Sequence, residues 1–189
     1  MTRSTYQHGI LVFCVLSFSV AAWVLLLHYL SPEDLVNIIG IRNGYIVMFL
    51  IALFGGVSSF TGVSFVATVL TLSAGGLNPL FLALASGIGI TMSDSLFFWI
   101  GHHAHHIIDS PQMSTRIDRI AIWLNDRSRL VVGLFIYTYT GFTPLPTDLL
   151  TIMLGLARQP YWFVLTALTA GNITFTYLLA TVGGAFWVF

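Results

Sequence analysis

Residues 9–30 (GILVFCVLSFSVAAWVLLLHYL) and 44–74 carry no Asp, Glu, Lys or Arg. Uncharged runs of this length leave a chain few places to fold, because about 20 apolar residues cross a hydrocarbon core of roughly 30 Å. The composition agrees. Only 7% of the 189 residues are charged and 57% are hydrophobic, whereas a soluble domain is about a quarter charged. The sequence therefore predicts an all-α integral membrane protein. Seven Arg, no Lys, six Asp and one Glu balance to a formal charge of zero, and a neutral chain without a basic tract offers nothing to a nucleic-acid backbone. Cys14 stands alone inside the first apolar run, which excludes a disulfide framework and a paired-cysteine metal or redox motif.

The run 9–30 reads as a transmembrane span: it is too long for a signal-peptide core, and no A-x-A site precedes Ser31-Pro32. A polar segment follows at 31–43. As one helix, 44–74 would extend about 46 Å, beyond the bilayer core. It is interrupted by Gly55-Gly56 and by a small-residue cluster at Ser58, Ser59, Thr61 and Gly62. Residues 130–157 repeat the design, with an apolar arm (LVVGLFIYTYTGF), the apex TPLPTD and a second arm (LLTIMLGLA) before Arg158. Two prolines separated by one residue cannot continue a helix. Each arm, about 16–20 Å long, reaches the middle of a membrane. Each stretch is thus either a kinked span or a re-entrant hairpin. Residues 79–101 and 160–188, both opened by proline, read as full spans.

Arginine placement favours the hairpins. With two hairpins, Arg3, the arginines of the loop 102–129 and Arg158 share one face against Arg42 alone; with two full spans the split is five against two. Basic residues gather on the cytoplasmic side, so the N-terminus and the loop 102–129 are expected in the cytoplasm of a bacterial or archaeal cell. The two halves also read as an internal repeat. AGGLNP (74–79) matches GLARQP (155–160), with an offset of 81 residues at the prolines and 82 at Gly101 and Gly183. Repeats with interrupted helices point to transporters whose site lies near the midplane. Between the halves, Ser110-Pro111 opens an expected amphipathic interfacial helix over 110–126. Met113, Ile117, Ile120, Ala121 and Leu124 share one face, and Trp123 is the anchor.

Asp94 lies within the 79–101 span, on a stripe with Gly87, Thr91, Phe98 and Gly101 that is mostly small or polar. A carboxyl at that depth costs a few kcal/mol and marks a functional site by default; the alternative is a structural Asp clamping hydroxyls on a neighbouring helix. Asp148 follows the TPLP apex in the first turn of the second arm, where it either caps that half-helix or contacts substrate. The candidate substrate-binding residues are Asp94, Asp148, Thr143, Pro144, Pro146, Thr147 and Asn172. Asn172 belongs to a second polar stripe with Thr169, Thr176 and Gly183, whose plain role is helix–helix hydrogen bonding. His102 and His106 form a candidate metal pair, one turn apart, although tight sites need three or four ligands. No cofactor is expected. Nothing matches a nucleophile–base pair, a GxSxG elbow, an HExxH helix or a P-loop, so the chain is not expected to be an enzyme.

The run GLNPLFLALASGIGITMSDSLFFWIGHH (76–103) and the block FTPLPTDLLTIMLGLARQPYWFVLTALTAG (142–171) resemble the glycine-rich, Asp-bearing helix and the Pro-containing hairpin of the DedA, or VTT-domain (SNARE-associated), membrane proteins. The resemblance spans roughly residues 44–185. It implies an inverted repeat with two opposed re-entrant hairpins, and a role in moving lipids between leaflets. Polyprenyl phosphate is the implied cargo for bacterial relatives and phospholipid for eukaryotic ones. Asp94 matches the family's Asp, and Phe142–Asp148 its hairpin apex. This chain departs from the pattern in lacking an acid at SSFTG, arginines around the second apex, and the Gly-Arg dipeptide, which here is Gly101-His102. A lipid translocator or scramblase is the expected function, with membrane lipids as partners, a proton or cation as coupling species, and a homo-oligomer left open. The alternatives are a proton- or cation-coupled small-solute transporter on the same scaffold and a non-transporting membrane scaffold.

Overall fold

The computed structural model describes residues 32–55, 62–104, 122–124, 126–143 and 147–186. The expected span 9–30, nearly all of the expected amphipathic helix 110–126, residues 56–61 and the apex residues Pro144 and Pro146 lie outside the described residues. Among those described, every regular element is a helix. In chain order they are α1 (Pro32–Ile39), α2 (Ile41–Gly55), α3 (Gly62–Ala74), α4 (Pro79–Ala104), α5 (Arg129–Phe142), α6 (Thr147–Leu156) and α7 (Tyr161–Phe186).

Local chemistry sets the ends. Gly40 (φ +82°) separates α1 from α2, in the segment read from sequence only as a polar connection. Asn78 accepts the Leu80 amide through Oδ1 at 2.9 Å, ahead of Pro79 in the first turn of α4. Ser128 caps α5 by accepting from the Val131 amide. Thr143 is extended (φ −115°, ψ 134°), as a residue before proline must be, so α5 stops at Phe142.

The turns after α3 and α6 are the same turn. Leu77 N–H bonds to the Leu72 carbonyl and Gly76 N–H to Ser73; 82 residues on, Gln159 bonds to Leu154 and Arg158 to Gly155. Both are Schellman closures, with Gly76 (φ +91°) and Arg158 (φ +53°) in the left-handed position. A non-glycine residue there is unusual.

The two long helices, α4 and α7, each have 26 residues and span about 39 Å. By length and composition both can cross a membrane. They pack antiparallel: Tyr161 of α7 meets Phe98 of α4, while Ile173 meets Gly87. The short helices divide between them, with α2 and α6 on α4, and α3 and α5 on α7. Glycines permit the closest approaches. A Cβ at Gly89 would sit 2.7 Å from the Phe49 carbonyl oxygen of α2, and one at Gly171 would sit 3.1 Å from the Tyr137 carbonyl oxygen of α5. Gly101 abuts Ile152 of α6, and Gly183 abuts Leu70 of α3.

The outside of this bundle is apolar. Leu80, Leu84, Ile88, Met92, Leu96 and Trp99 form an exposed stripe along α4, and Leu130, Leu134 and Phe135 do so on α5. Inside, two apolar clusters, around Met48, Leu72 and Leu82 and around Ile136, Leu154 and Leu168, flank a set of buried polar residues.

Candidate functional site: a buried carboxyl where three helices meet

Asp94 is fully buried in α4. Its Oδ1 accepts the Thr147 hydroxyl, from the first residue of α6, at 3.0 Å. Its Oδ2 accepts Nδ2 of Asn172 from α7, also at 3.0 Å. The same Asn172 nitrogen lies 3.3 Å from Thr91 Oγ1, one turn before Asp94, and the Thr91 hydroxyl donates to the Gly87 carbonyl at 2.7 Å. The bonds thus connect both long helices to the start of a short one. The helical period of α4 puts Gly87, Thr91 and Asp94 on one face; a Cβ at Gly87 would sit 3.1 Å from the Ile173 backbone, so glycine there lets α7 bring Asn172 within reach.

The candidate residues fall into three groups. Asp94, Thr147 and Asn172 are joined directly. Asp148 is half-buried in the first turn of α6, beside Thr147. Thr143 instead closes α5, its amide and hydroxyl both bonding to the Tyr139 carbonyl, while Pro144 and Pro146 lie outside the described residues. At one end of α4, His102 is half-buried, its ring 6.3 Å from Phe98 and 6.0 Å from Trp99. His103 lies 2.9 Å from the Trp99 carbonyl through Nδ1. His106 is outside the described residues; among those described, no three His, Cys, Asp or Glu side chains gather as a metal site.

Some features were not legible beforehand. The Tyr161 hydroxyl reaches Ser95 at 3.3 Å, and Tyr161 packs on Phe98 and Trp99. The α4–α6 crossing at Gly101 and Gly155 sets the approach of Thr147 to Asp94. Ser93, buried next to Asp94, has a hydroxyl without a hydrogen-bond partner among the described residues. The glycine pair alone left a sequence signal, as small residues on faces that must approach another backbone. Comparison of the chain with protein-family models, curated proteins and solved structures gives no match.

Proposed function

We propose that this chain is an integral membrane protein of DedA/VTT type that moves lipids between leaflets without covalent chemistry, along a path that passes the Asp94 network. The observation that carries the reading is the fully buried carboxyl of Asp94, held by Thr147 of a short helix and Asn172 of a long one. Intramembrane carboxyls are costly and mark transport pathways; a site where broken and continuous helices converge is the transporter pattern.

Other features support the setting. The exposed apolar stripes of α4 and α5 suit lipid better than water. The short helices have 10 to 15 residues, about 15–23 Å, half to three quarters of a hydrocarbon core. In this reading α2–α3 and α5–α6 are re-entrant hairpins. The shared turns 82 residues apart, together with antiparallel α4 and α7, support reading the halves as an inverted repeat. The arginine distribution favours a cytoplasmic N-terminus and loop 102–129, and the membrane of this reading is a bacterial or archaeal one.

The test is leaflet exchange of fluorescent phospholipids in liposomes holding the purified protein, with Asp94→Asn and Asp148→Asn alongside. Exchange that Asp94→Asn abolishes while the protein stays folded is the expected outcome. Wild-type protein that is folded and exchanges no lipid would remove the reading.

A further inference from the structure

The hydrogens of the Asp94 network have fixed directions. The Thr91 hydroxyl spends its hydrogen on the Gly87 carbonyl, so toward Asn172 its oxygen can only accept. That fixes the Asn172 amide with nitrogen inward, and its two hydrogens go to Thr91 Oγ1 and Asp94 Oδ2. The Thr147 hydroxyl hydrogen goes to Asp94 Oδ1. The side-chain donors of Thr91, Thr147 and Asn172 are therefore all committed. A carboxylate has about four acceptor positions, and these bonds fill two. What remains on offer to a newcomer is lone pairs.

Among the described residues, the charge beside the network has the same sign. Asp148 is half-buried immediately after Thr147. The chain has no lysine, and the described arginines, Arg42, Arg127, Arg129 and Arg158, are all exposed and stand at helix ends or in turns. A phosphate or glycerol-phosphate group would bring more acceptors and like charge to such a place. A protonated amine would bring donors and opposite charge.

We infer that the Asp94 network receives a cationic group, as a lipid headgroup ammonium or a free monovalent cation, and turns away anionic headgroups. In its lipid form the inference rests on the translocation reading above. Ethanolamine phospholipids then pass and phosphatidylglycerol does not. Thr147 is the side chain that covers the carboxyl, so its hydroxyl is the donor an incoming ammonium replaces.

The experiment uses proteoliposomes of phosphatidylcholine with trace acyl-chain-labelled phosphatidylethanolamine or phosphatidylglycerol. The label on the acyl chain leaves the ammonium intact. Parallel vesicles report efflux of sodium and methylammonium. Phosphatidylethanolamine exchange at least about tenfold faster than phosphatidylglycerol exchange is expected, since like-charge juxtaposition is strongly disfavoured. Asp94→Asn should narrow the ratio, but the wild-type ratio alone decides, so a variant that fails to fold leaves the test intact. Equal rates, or faster phosphatidylglycerol, overturn the inference and leave translocation standing. Asp94-dependent cation efflux without lipid exchange removes the lipid reading and keeps the cation site. Folded protein that moves neither overturns both.

Discussion

Replacing Gly155 by alanine should loosen the helix crossing that brings Thr147 to Asp94. A Cβ at Gly155 would overlap the Phe98 carbonyl oxygen and lie 2.9 Å from the His102 nitrogen. Carbon contacts are comfortable near about 3.5–4.0 Å, so α6 must lift from α4 by about 1 Å. The opposing atoms are backbone, and no flexible side chain can swing away. Overpacking of this kind costs about 1–3 kcal/mol, offset by up to about 1 kcal/mol because alanine is the better helix former. Lifting α6 also stretches the 3.0 Å bond from Thr147 to Asp94, worth about 1 kcal/mol more. The expected net loss is about 2 kcal/mol, read by denaturant titration of the purified protein in micelles. Gly184→Ala is the control, because its new methyl would stand 3.4 Å from Ser73 Oγ, an ordinary contact. It should be neutral or gain up to about 1 kcal/mol. Gly101→Ala strains the same crossing against Ile152, so the double variant should cost less than the two singles together. The reasoning is refuted if Gly155→Ala and Gly184→Ala prove equally stable.

Three further outcomes are expected. Met92→Arg, on the exposed stripe of α4, should raise the insertion cost of this helix by about 2.5–3.5 kcal/mol in a translocon assay; unchanged insertion would mean that face does not meet lipid. Arg158→Gly should stabilise the fold by about 1 kcal/mol by relieving a left-handed residue, whereas Gly76→Ala should destabilise it similarly; thermal melts with matching signs would contradict the shared turn. Thr147→Val keeps the side-chain shape and removes the donor to Asp94. It should cost about 1 kcal/mol and speed hydrogen exchange in α6, with Thr147→Ser close to wild type; equal exchange in all three would show that the bond does not hold α6.

The helical class was legible because it depends on runs of residues, and charge-free runs are visible in one dimension. Asp94 was legible as a functional candidate because a carboxylate within an apolar helix has few uses, and its stripe with Gly87 and Thr91 follows from helical period alone. Its partners were harder to foresee. Thr143 and Thr147 flank the same Pro-Leu-Pro run and look alike in sequence. Thr143 folds back on Tyr139 because the following proline ends α5 at that point, while Thr147 opens a new helix whose crossing angle aims it at Asp94. That angle depends on two glycines, Gly101 and Gly155, which are separated in the chain and set by backbone contact. The shared turn was half legible: AGGLNP and GLARQP were seen to correspond, but arginine does not advertise a left-handed conformation, so the closure at Arg158 shows only in the fold.

The polar chemistry is less repeated than the scaffold. At the 82-residue spacing that relates the two turns, Ser73 bonds to the Ala180 carbonyl where Gly155 presses on Phe98, so both crossings have counterparts. The same spacing matches Asp94 with Thr176 and Thr147 with Phe65. Thr176 is buried and spends its hydroxyl on the Asn172 backbone carbonyl; Phe65 is buried in the apolar cluster around Met48 and Leu72. Of the two matching short helices, α6 therefore brings a hydrogen-bond donor to the carboxyl, beside the one Asn172 brings from α7, while α3 holds a phenyl ring at the matching place. Moving α6 would break one of the two bonds that hold the carboxyl, whereas moving α3 would break neither. A further bond, from the Ser73 hydroxyl to the Ala180 carbonyl, ties α3 to α7 directly.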